Sequence, residues 1–343
     1  MTNENGISVA VVGATGAVGE AMVEILEERG FPVAALHLLA SKRSAGKSVR
    51  AFGKSHTVTD LADFDFSQAR LGLFSPGGAV SREHAPRAAA AGTWVVDNTS
   101  EFRRDPNIPL VVPEVNEHTL EGYDGRIIAN PNCSTIQMML ALKPLHDAAG
   151  LRRVDVATYQ AVSGAGAKGI TELAGQTAAL LNGKDYDPSA FPTQIAFNAI
   201  PQIGAFQDGG FTLEEMKMVW ETRKILGDES IEVNPTCVRV PVFYGHSEAV
   251  HLELREPLDV DTARTLLRDA PGLELMDDRE AADFPTPVKQ AAGTDPVFVG
   301  RIRQGLDDPR KLNLWVVADN VRKGAALNSV QIAEALLARG MLA

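Results

Sequence analysis

An apolar run over Ile7–Val12 ends in Gly13-Ala14-Thr15-Gly16-Ala17-Val18-Gly19, and a helical pattern follows at once. No other feature limits the fold so tightly. A compact β run feeding a glycine-rich turn that opens a helix is the start of a doubly wound α/β unit. The helix carries Val18, Met22, Ile25 and Leu26 on one face and Glu20, Glu24, Glu27 and Glu28 on the other. Gly30 and Pro32 stop it. Residues 34–40, 71–74, 94–97, 110–112 and 127–129 read as further short strands, with an alanine-rich helix over 85–91. Strands alternating with helices imply a parallel sheet.

Past Cys133 the pattern changes. Residues 154–162 form a longer strand, 168–181 and 212–226 are helices, and 238–243, 250–254 and 312–317 are strand-like. This mixture predicts an α+β second domain. A helix over 325–337, rich in alanine and leucine, is expected to pack back on the first domain. The expected organisation is a Rossmann-type doubly wound parallel sheet in residues 1–132, with 322–343 packing back, and an α+β domain in 133–321. The stretch 182–208 has little regular pattern and three prolines. In a compact protein such a stretch is usually a functional or interface loop.

The 343 residues suffice for about two domains with large cores. A net charge of −11 argues against nucleic acid or an anionic membrane as a general partner. It leaves room for a local basic pocket. Two cysteines, Cys133 and Cys237, are too few for a disulfide scaffold, and no Cys/His spacing resembles a zinc site. The run Ile7–Val12 is far too short to span a membrane. A cytoplasmic protein with a reduced, usable thiol is expected.

Gly13, Gly16 and Gly19 follow a strand and open a helix, which lets backbone approach a pyrophosphate seated on the helix N-terminus. The spacing is G-x-x-G-x-x-G, weaker evidence than the usual fingerprint. An NAD-preferring site usually carries an acid about 20 residues past the glycines. Here the chain reads Ala40-Ser41-Lys42-Arg43-Ser44-Ala45-Gly46, with two cations, hydroxyls and no acid. That suits a 2′-phosphate, hence NADP.

Cys133 sits in Asn130-Pro131-Asn132-Cys133-Ser134-Thr135. Asn132 and Ser134 are both helix N-cap types and Pro131 cannot sit inside a helix, so Cys133 is expected in a first helical turn. There the unpaired N–H groups and the helix dipole favour a thiolate, a nucleophile toward a carbonyl. The competing reading is a small buried residue. Four further features stand out: Gln160 before the loop Val162-Ser163-Gly164-Ala165-Gly166; Glu214 and Lys217 on a helix; Arg239 within an apolar strand; and His246 after it. A cation in an apolar strand is costly unless paired, so Arg239 is expected to meet an anionic partner or ligand. Arg103 follows another strand end. Singly, Lys217 reads equally as a surface lysine, His246 as a turn histidine and Gln160 as a strand polar group.

Together these stretches resemble the aspartate-β-semialdehyde dehydrogenase family over essentially the whole chain. The matching segments include the first glycine loop, 41–46, 98–103, 111–116, 130–135, 160–166, 214–217 with 221–225, 239–248 and 319–328. Pro76 departs from the small residue expected there and bears only on local loop shape. The resemblance implies that Cys133 attacks L-4-aspartyl phosphate, expels phosphate and forms a thioester. Reduction by NADPH then yields L-aspartate 4-semialdehyde, within lysine, threonine, methionine and diaminopimelate biosynthesis. It implies His246 as general acid/base with an unperturbed pKa near neutrality, and Gln160 as orienter of the reacting carbonyl. Arg239 would pair with the substrate α-carboxylate. Arg103 and Lys217 would hold phosphate, with Asn132 beside it. Glu214 would contact the substrate amine or hold the cations in place. The cofactor residues it implies are Gly13, Thr15, Gly16, Ala17, Val18, Gly19, Ser41, Arg43, Ser44 and Ser75, with Ser163, Gly164 and Asn320 about the nicotinamide. Cys237 is left to packing. A homodimer joined through the second domain is implied, with small-molecule substrates and no nucleic acid or membrane. The alternatives are an N-acetyl-γ-glutamyl-phosphate reductase-like enzyme, a more remote glyceraldehyde-3-phosphate-dehydrogenase-like enzyme, and a catalytically dead paralogue acting as a binding protein. The last is expected to lack the cysteine or the histidine, and both are present.

Overall fold

The computed structural model describes residues 6–278 and 280–342. The chain divides into two compact units, Met1–Pro131 with Ala325–Ala343, and Asn132–Gly324.

In the first unit, β1 (Ile7–Val12) leads through the glycine turn into α1 (Ala17–Glu28) and β2 (Val33–Ala40). A hairpin, β3 (Ser48–Ala51) and β4 (Lys54–Thr57), and a short β5 (Thr59–Asp60) follow. Then come β6 (Leu71–Phe74), α2 (Gly78–Ala90), β7 (Trp94–Asp97), α3 (Pro113–Asn116) and β8 (Ile127–Ala129). The sheet order is β5-β2-β1-β6-β7-β8, and every pairing is parallel. Residues of β6 and β7 are buried on both faces, which explains why they read as unbroken apolar runs. Chain direction across the sheet reverses at β1, between β2 and β6, the crevice where such folds bind ligands.

Two expectations shift here. Residues 110–112 do not form a strand: only Leu110 bridges to Ala129. The N–H of Val112 goes instead to Asn116 Oδ1 at 2.9 Å, and Pro113 begins α3. The helix expected over 85–91 starts seven residues earlier, at Gly78, behind a Gly77 whose φ of +98° hides the start from propensity.

The second unit opens with α4 (Cys133–Ala149), β9 (Leu151–Gln160), α5 (Ala167–Leu181), α6 (Leu213–Leu226), β10 (Glu232–Arg239) and β11 (His246–Leu254). It closes with α7 (Val260–Asp269), β12 (Leu273–Leu275), β13 (Val297–Gln304) and β14 (Lys311–Ala318). The chain then returns to the first unit, where α8 (Leu327–Ala338) packs against α1. The second sheet runs β10-β9-β11-β14-β13-β12 and is mixed. Helices α4, α6 and α7 pack against its strands.

The strand expected over 238–243 is displaced, ending rather than starting near Arg239. It begins at Glu232 because Pro235 is tolerated on an edge strand, where a missing N–H breaks no ladder. Pro241 and Gly245 (φ +89°) then turn the chain into β11. His246 is therefore the first residue of a strand rather than part of a turn.

Candidate active site

The second unit gathers the thiol and most of the polar residues singled out from sequence. Asn132 caps α4: its Oδ1 accepts from the N–H groups of Ser134 and Thr135 at 3.1 and 3.3 Å. This puts Cys133 at the first helical position, where the helix dipole favours an anion. Neither cysteine is in a disulfide. Cys133 is partly exposed, whereas Cys237 is buried, with burial pushing its thiol far up and its Sγ against Met218. Gly324 lies against Cys133: a Cβ there would stand 2.8 Å from the Cβ of Cys133.

Glu214 organises the residues around it. Its Oε1 accepts from Asn132 Nδ2 at 2.9 Å and from Gln160 Nε2 at 3.1 Å, and its Oε2 accepts from Lys217 Nζ at 3.0 Å. Burial alone would raise this carboxyl, but the Lys217 charge and the two amides outweigh it and hold it at about 2. Through the bond from Nζ, Glu214 holds one cation, Lys217. Gln160 is oriented from behind, since Thr158 Oγ1 donates to its Oε1 at 3.0 Å.

Arg239 is 6% exposed at the end of β10. Its Nη1 donates to the carbonyl of Ala161 at 2.7 Å. Among the described residues no carboxylate forms an ion pair with it, so the fork retains donors for a ligand. Burial lowers its pKa, and nearby Glu214 opposes that. Gly164 admits the guanidinium, because a Cβ there would be 2.8 Å from Nη1.

His246 is fully buried, and its Nδ1 accepts from the Ala161 N–H at 3.0 Å. The expectation of an ordinary near-neutral pKa does not hold. Burial first, then the Arg239 charge, lower it to about 3, against weaker upward pulls from Glu214 and a backbone bond to Gly245. Gln160 Nε2 lies 3.5 Å from its Nε2. Ser163 and Asn320 bond to each other at 2.9–3.0 Å, and Asn320 Oδ1 accepts from the Gly245 N–H at 3.0 Å, pinning the turn before His246.

The first unit holds Arg103 and the remaining cofactor candidates. Arg103 is 7% exposed and donates from Nη2 to the Asn98 carbonyl at 2.8 Å. At the crevice, Gly13 has φ +85°, and a Cβ on it would meet the Ser75 carbonyl oxygen at 2.7 Å. A Cβ on Gly19 would run into the Gly13 carbonyl. Only glycine permits this close turn of strand into helix, leaving a bare backbone cradle at the start of α1 with Thr15, Gly16, Ala17 and Val18. Ser44 is buried and accepts from Thr15 Oγ1 at 3.4 Å, while Ser41 and Arg43 are exposed beside it.

Three participants escaped the sequence reading. Glu221 Oε2 accepts the N–H of Asn132 at 2.6 Å and so holds the cap of α4. The spacing of Glu214, Lys217 and Glu221 on one face of α6 was a usable signal. Thr158 and the backbone of Ala161 carried none.

A doubly wound unit with a glycine turn opening its first helix, and a second unit with a helix-borne thiol, a buried histidine and a buried arginine, are the arrangement of a nucleotide-dependent oxidoreductase. Comparison with known proteins makes this specific. Residues 8–123 match the semialdehyde dehydrogenase NAD binding domain, and residues 142–323 match the semialdehyde dehydrogenase dimerisation domain. The aspartate-semialdehyde dehydrogenase of Legionella pneumophila is 60% identical over 331 residues, covering 96% of this chain and 95% of the relative. The structure of aspartate semialdehyde dehydrogenase II from Vibrio cholerae, complexed with ASA, superposes with a TM-score of 0.95 at 58% identity, covering 97% and 99% of the two chains. An enzyme of the same name from Candida albicans, solved with NADP, aligns at 25% identity and a TM-score of 0.76, covering 98% and 99%. The chain belongs to the aspartate-semialdehyde dehydrogenase family.

Proposed function

We infer that the chain catalyses the reversible, NADPH-dependent reductive dephosphorylation of L-4-aspartyl phosphate to L-aspartate 4-semialdehyde, in amino-acid biosynthesis. The observation that carries this is Cys133 at the head of α4, in one unit with Gln160, Arg239 and His246. Cofactor binding is assigned to residues 1–132 with 322–343, and chemistry and dimerisation to 133–321. Two copies assemble through the matched dimerisation domain.

The glycine cradle and the acid-free 41–46 loop suit NADP: Gly13, Gly16 and Gly19 with Thr15, Ala17, Val18 and Ser75 for the pyrophosphate side, and Ser41, Arg43 and Ser44 for the 2′-phosphate. When bound, the cofactor supplies the hydride that takes the acyl carbon from the thioester to the aldehyde level. Cys133 accepts the acyl group and releases phosphate. Lys217, steadied by Glu214, and Arg103 take the phosphoryl charge. Arg239 grips the α-carboxylate, and Gln160 orients the reacting carbonyl. His246 acts through Nε2, since Nδ1 is occupied by the Ala161 N–H. Ser163, Gly164 and Asn320 shape the nicotinamide side.

Among the described residues no helix is long and apolar enough to cross a membrane. We place the enzyme in the cytoplasm, where its catalytic thiol stays reduced. The direct assay is reduction of NADP with aspartate semialdehyde as substrate. Turnover that requires inorganic phosphate supports the assignment, and phosphate-independent turnover or none at all refutes it.

A further inference from the structure

The pattern-poor stretch past α5 is fastened to that helix by two buried polar side chains. Glu172 Oε2 accepts from the N–H of Ser189 at 2.7 Å, from Ser189 Oγ at 2.8 Å and from the N–H of Ala190, and its Oε1 accepts from the N–H of Phe191 at 3.3 Å. One turn on, Gln176 Oε1 accepts from the N–H groups of Ile195 and Ala196 at 2.8 and 3.0 Å. Gln176 Nε2 also donates to Glu172 at 3.2 Å, coupling the two. Glu172 is 2% exposed and Gln176 fully buried, so both polar groups would be costly without these partners. Burial would raise the Glu172 carboxyl, but the N–H groups of Ala190 and Ser189 hold it below its ordinary value.

The same helical stripe contains two interior glycines, each unfavourable in a helix unless packing needs it. A Cβ on Gly169 would meet the Val162 carbonyl oxygen at 2.5 Å and stand 3.1 Å from the Phe191 ring, and one on Gly175 would stand 2.8 Å from the Tyr186 ring. Residues 169, 172, 175 and 176 thus form one face of α5 shaped to receive the loop. The loop in turn reaches Arg239 twice. Ile200 bridges to it antiparallel, exchanging N–H···O bonds of 2.9 and 2.8 Å. The Phe191 ring lies 6.0 Å from the guanidinium carbon, within cation–π range.

We propose that Glu172 and Gln176 are positioning residues for substrate selection: they clamp the 182–200 loop on α5 so that Phe191 and Ile200 hold the Arg239 fork for the substrate α-carboxylate. This rests on the reading of Arg239 given above. Neither clamp residue touches substrate. Their effect is confined to how well the carboxylate is recognised.

The test compares L-aspartate 4-semialdehyde with 3-aminopropanal, the same aldehyde without its carboxylate, in the phosphate-dependent direction. Arg239→Leu should cut kcat/KM for the semialdehyde about a hundredfold more than that for 3-aminopropanal, abolishing the preference for the carboxylated aldehyde. Glu172→Gln, which turns an amide toward at least two of the donors now bound, and Phe191→Leu should each cut the semialdehyde value about tenfold. They should spare 3-aminopropanal and the KM for phosphate. Neither should add to the loss in an Arg239→Leu background. If Arg239→Leu leaves the preference for the carboxylated aldehyde intact, the Arg239 reading fails and takes the inference with it. If Arg239→Leu abolishes that preference while the other two variants keep it, the clamp alone is refuted. Equal losses on both aldehydes also refute it, since they mark a general structural role. Should Glu172→Gln not fold, Phe191→Leu, which keeps every clamp hydrogen bond, decides the matter.

Discussion

The backbone N–H of Ala161 donates to Nδ1 of His246 at 3.0 Å. A backbone N–H cannot accept, so this contact assigns the imidazole proton to Nε2. A second proton would have to enter at Nδ1, against that donor and in a fully buried site beside Arg239. The resting histidine is therefore neutral, and it holds its one proton at Nε2.

A stability signature follows. The unfolded chain binds a proton at this residue near the ordinary 6.5, and the native state only near 3. Between those values the unfolded state carries the extra proton. The native state therefore loses stability as pH falls through the window and is unaffected above it. The loss should be about 1 kcal/mol per pH unit. In denaturant titrations between pH 6 and 4, His246→Gln should show a shallower fall than the parent. Parallel curves would show that His246 is already charged in the native state.

Gly324 tests the placement of the nucleophile without removing it. A methyl group there would stand 2.8 Å from the Cys133 Cβ, so the cysteine must move. Gly324→Ala should lower kcat tenfold or more, because small misplacements at a reacting atom are costly. Cys133→Ala should abolish turnover, with at most a trace left in Cys133→Ser. Cys237→Ala should keep the chemistry nearly intact. Rapid-quench measurement of acyl-enzyme formation checks all four, and activity within tenfold of the parent in Cys133→Ala would end the thioester mechanism.

How much of this was legible from the chain depended on range. The cap at Asn132 and the position of Cys133 were readable because the two N–H groups that Asn132 caps, those of Ser134 and Thr135, lie within three residues of it. The boundaries of β10 were misread because Pro235 looks like a break, and only the sheet order reveals an edge that tolerates it. The lowered pKa of His246 was invisible for a different reason. Its causes, burial and the Arg239 charge, exist only once β10 and β9 are paired and β11 is laid beside β9. The Glu172 clamp likewise joins residues 17 to 19 positions apart through backbone groups that leave no mark in residue type.

Ser41, Arg43 and Ser44 are the residues proposed for the 2′-phosphate. Arg43 is exposed at the turn after β2, where NAD-preferring proteins place an acid. Arg43→Ala should weaken NADP binding about tenfold and barely change that of NAD, since only NADP carries the 2′-phosphate. Fluorescence titration with each cofactor measures both. Equal losses would place Arg43 away from the phosphate.

The two ends of the substrate give the sharpest check on the remaining assignments. One end is a carboxylate and the other a phosphoryl group, and in the direction from semialdehyde to acyl phosphate they arrive as separate ligands with separate Michaelis constants. Arg103→Leu and Lys217→Met should chiefly raise the constant for phosphate. Arg239→Leu should chiefly damage use of the semialdehyde. Each lost charged hydrogen bond should cost about 1.5–3 kcal/mol, roughly ten- to a hundredfold. Arg239→Lys should be nearly as poor as Arg239→Leu. Part of the fork is already committed to the Ala161 carbonyl at 2.7 Å, and an ammonium cannot serve that carbonyl and a planar carboxylate together. The Lys217 variant carries a second signature, because it leaves Glu214 buried without its cation. Its loss should therefore spread to kcat through Asn132 and Gln160, which hang on the same carboxylate, whereas Arg103→Leu should act on phosphate alone. If Arg239→Leu impaired phosphate and Lys217→Met impaired semialdehyde, the two anion sites would have to be exchanged and the bound substrate reversed.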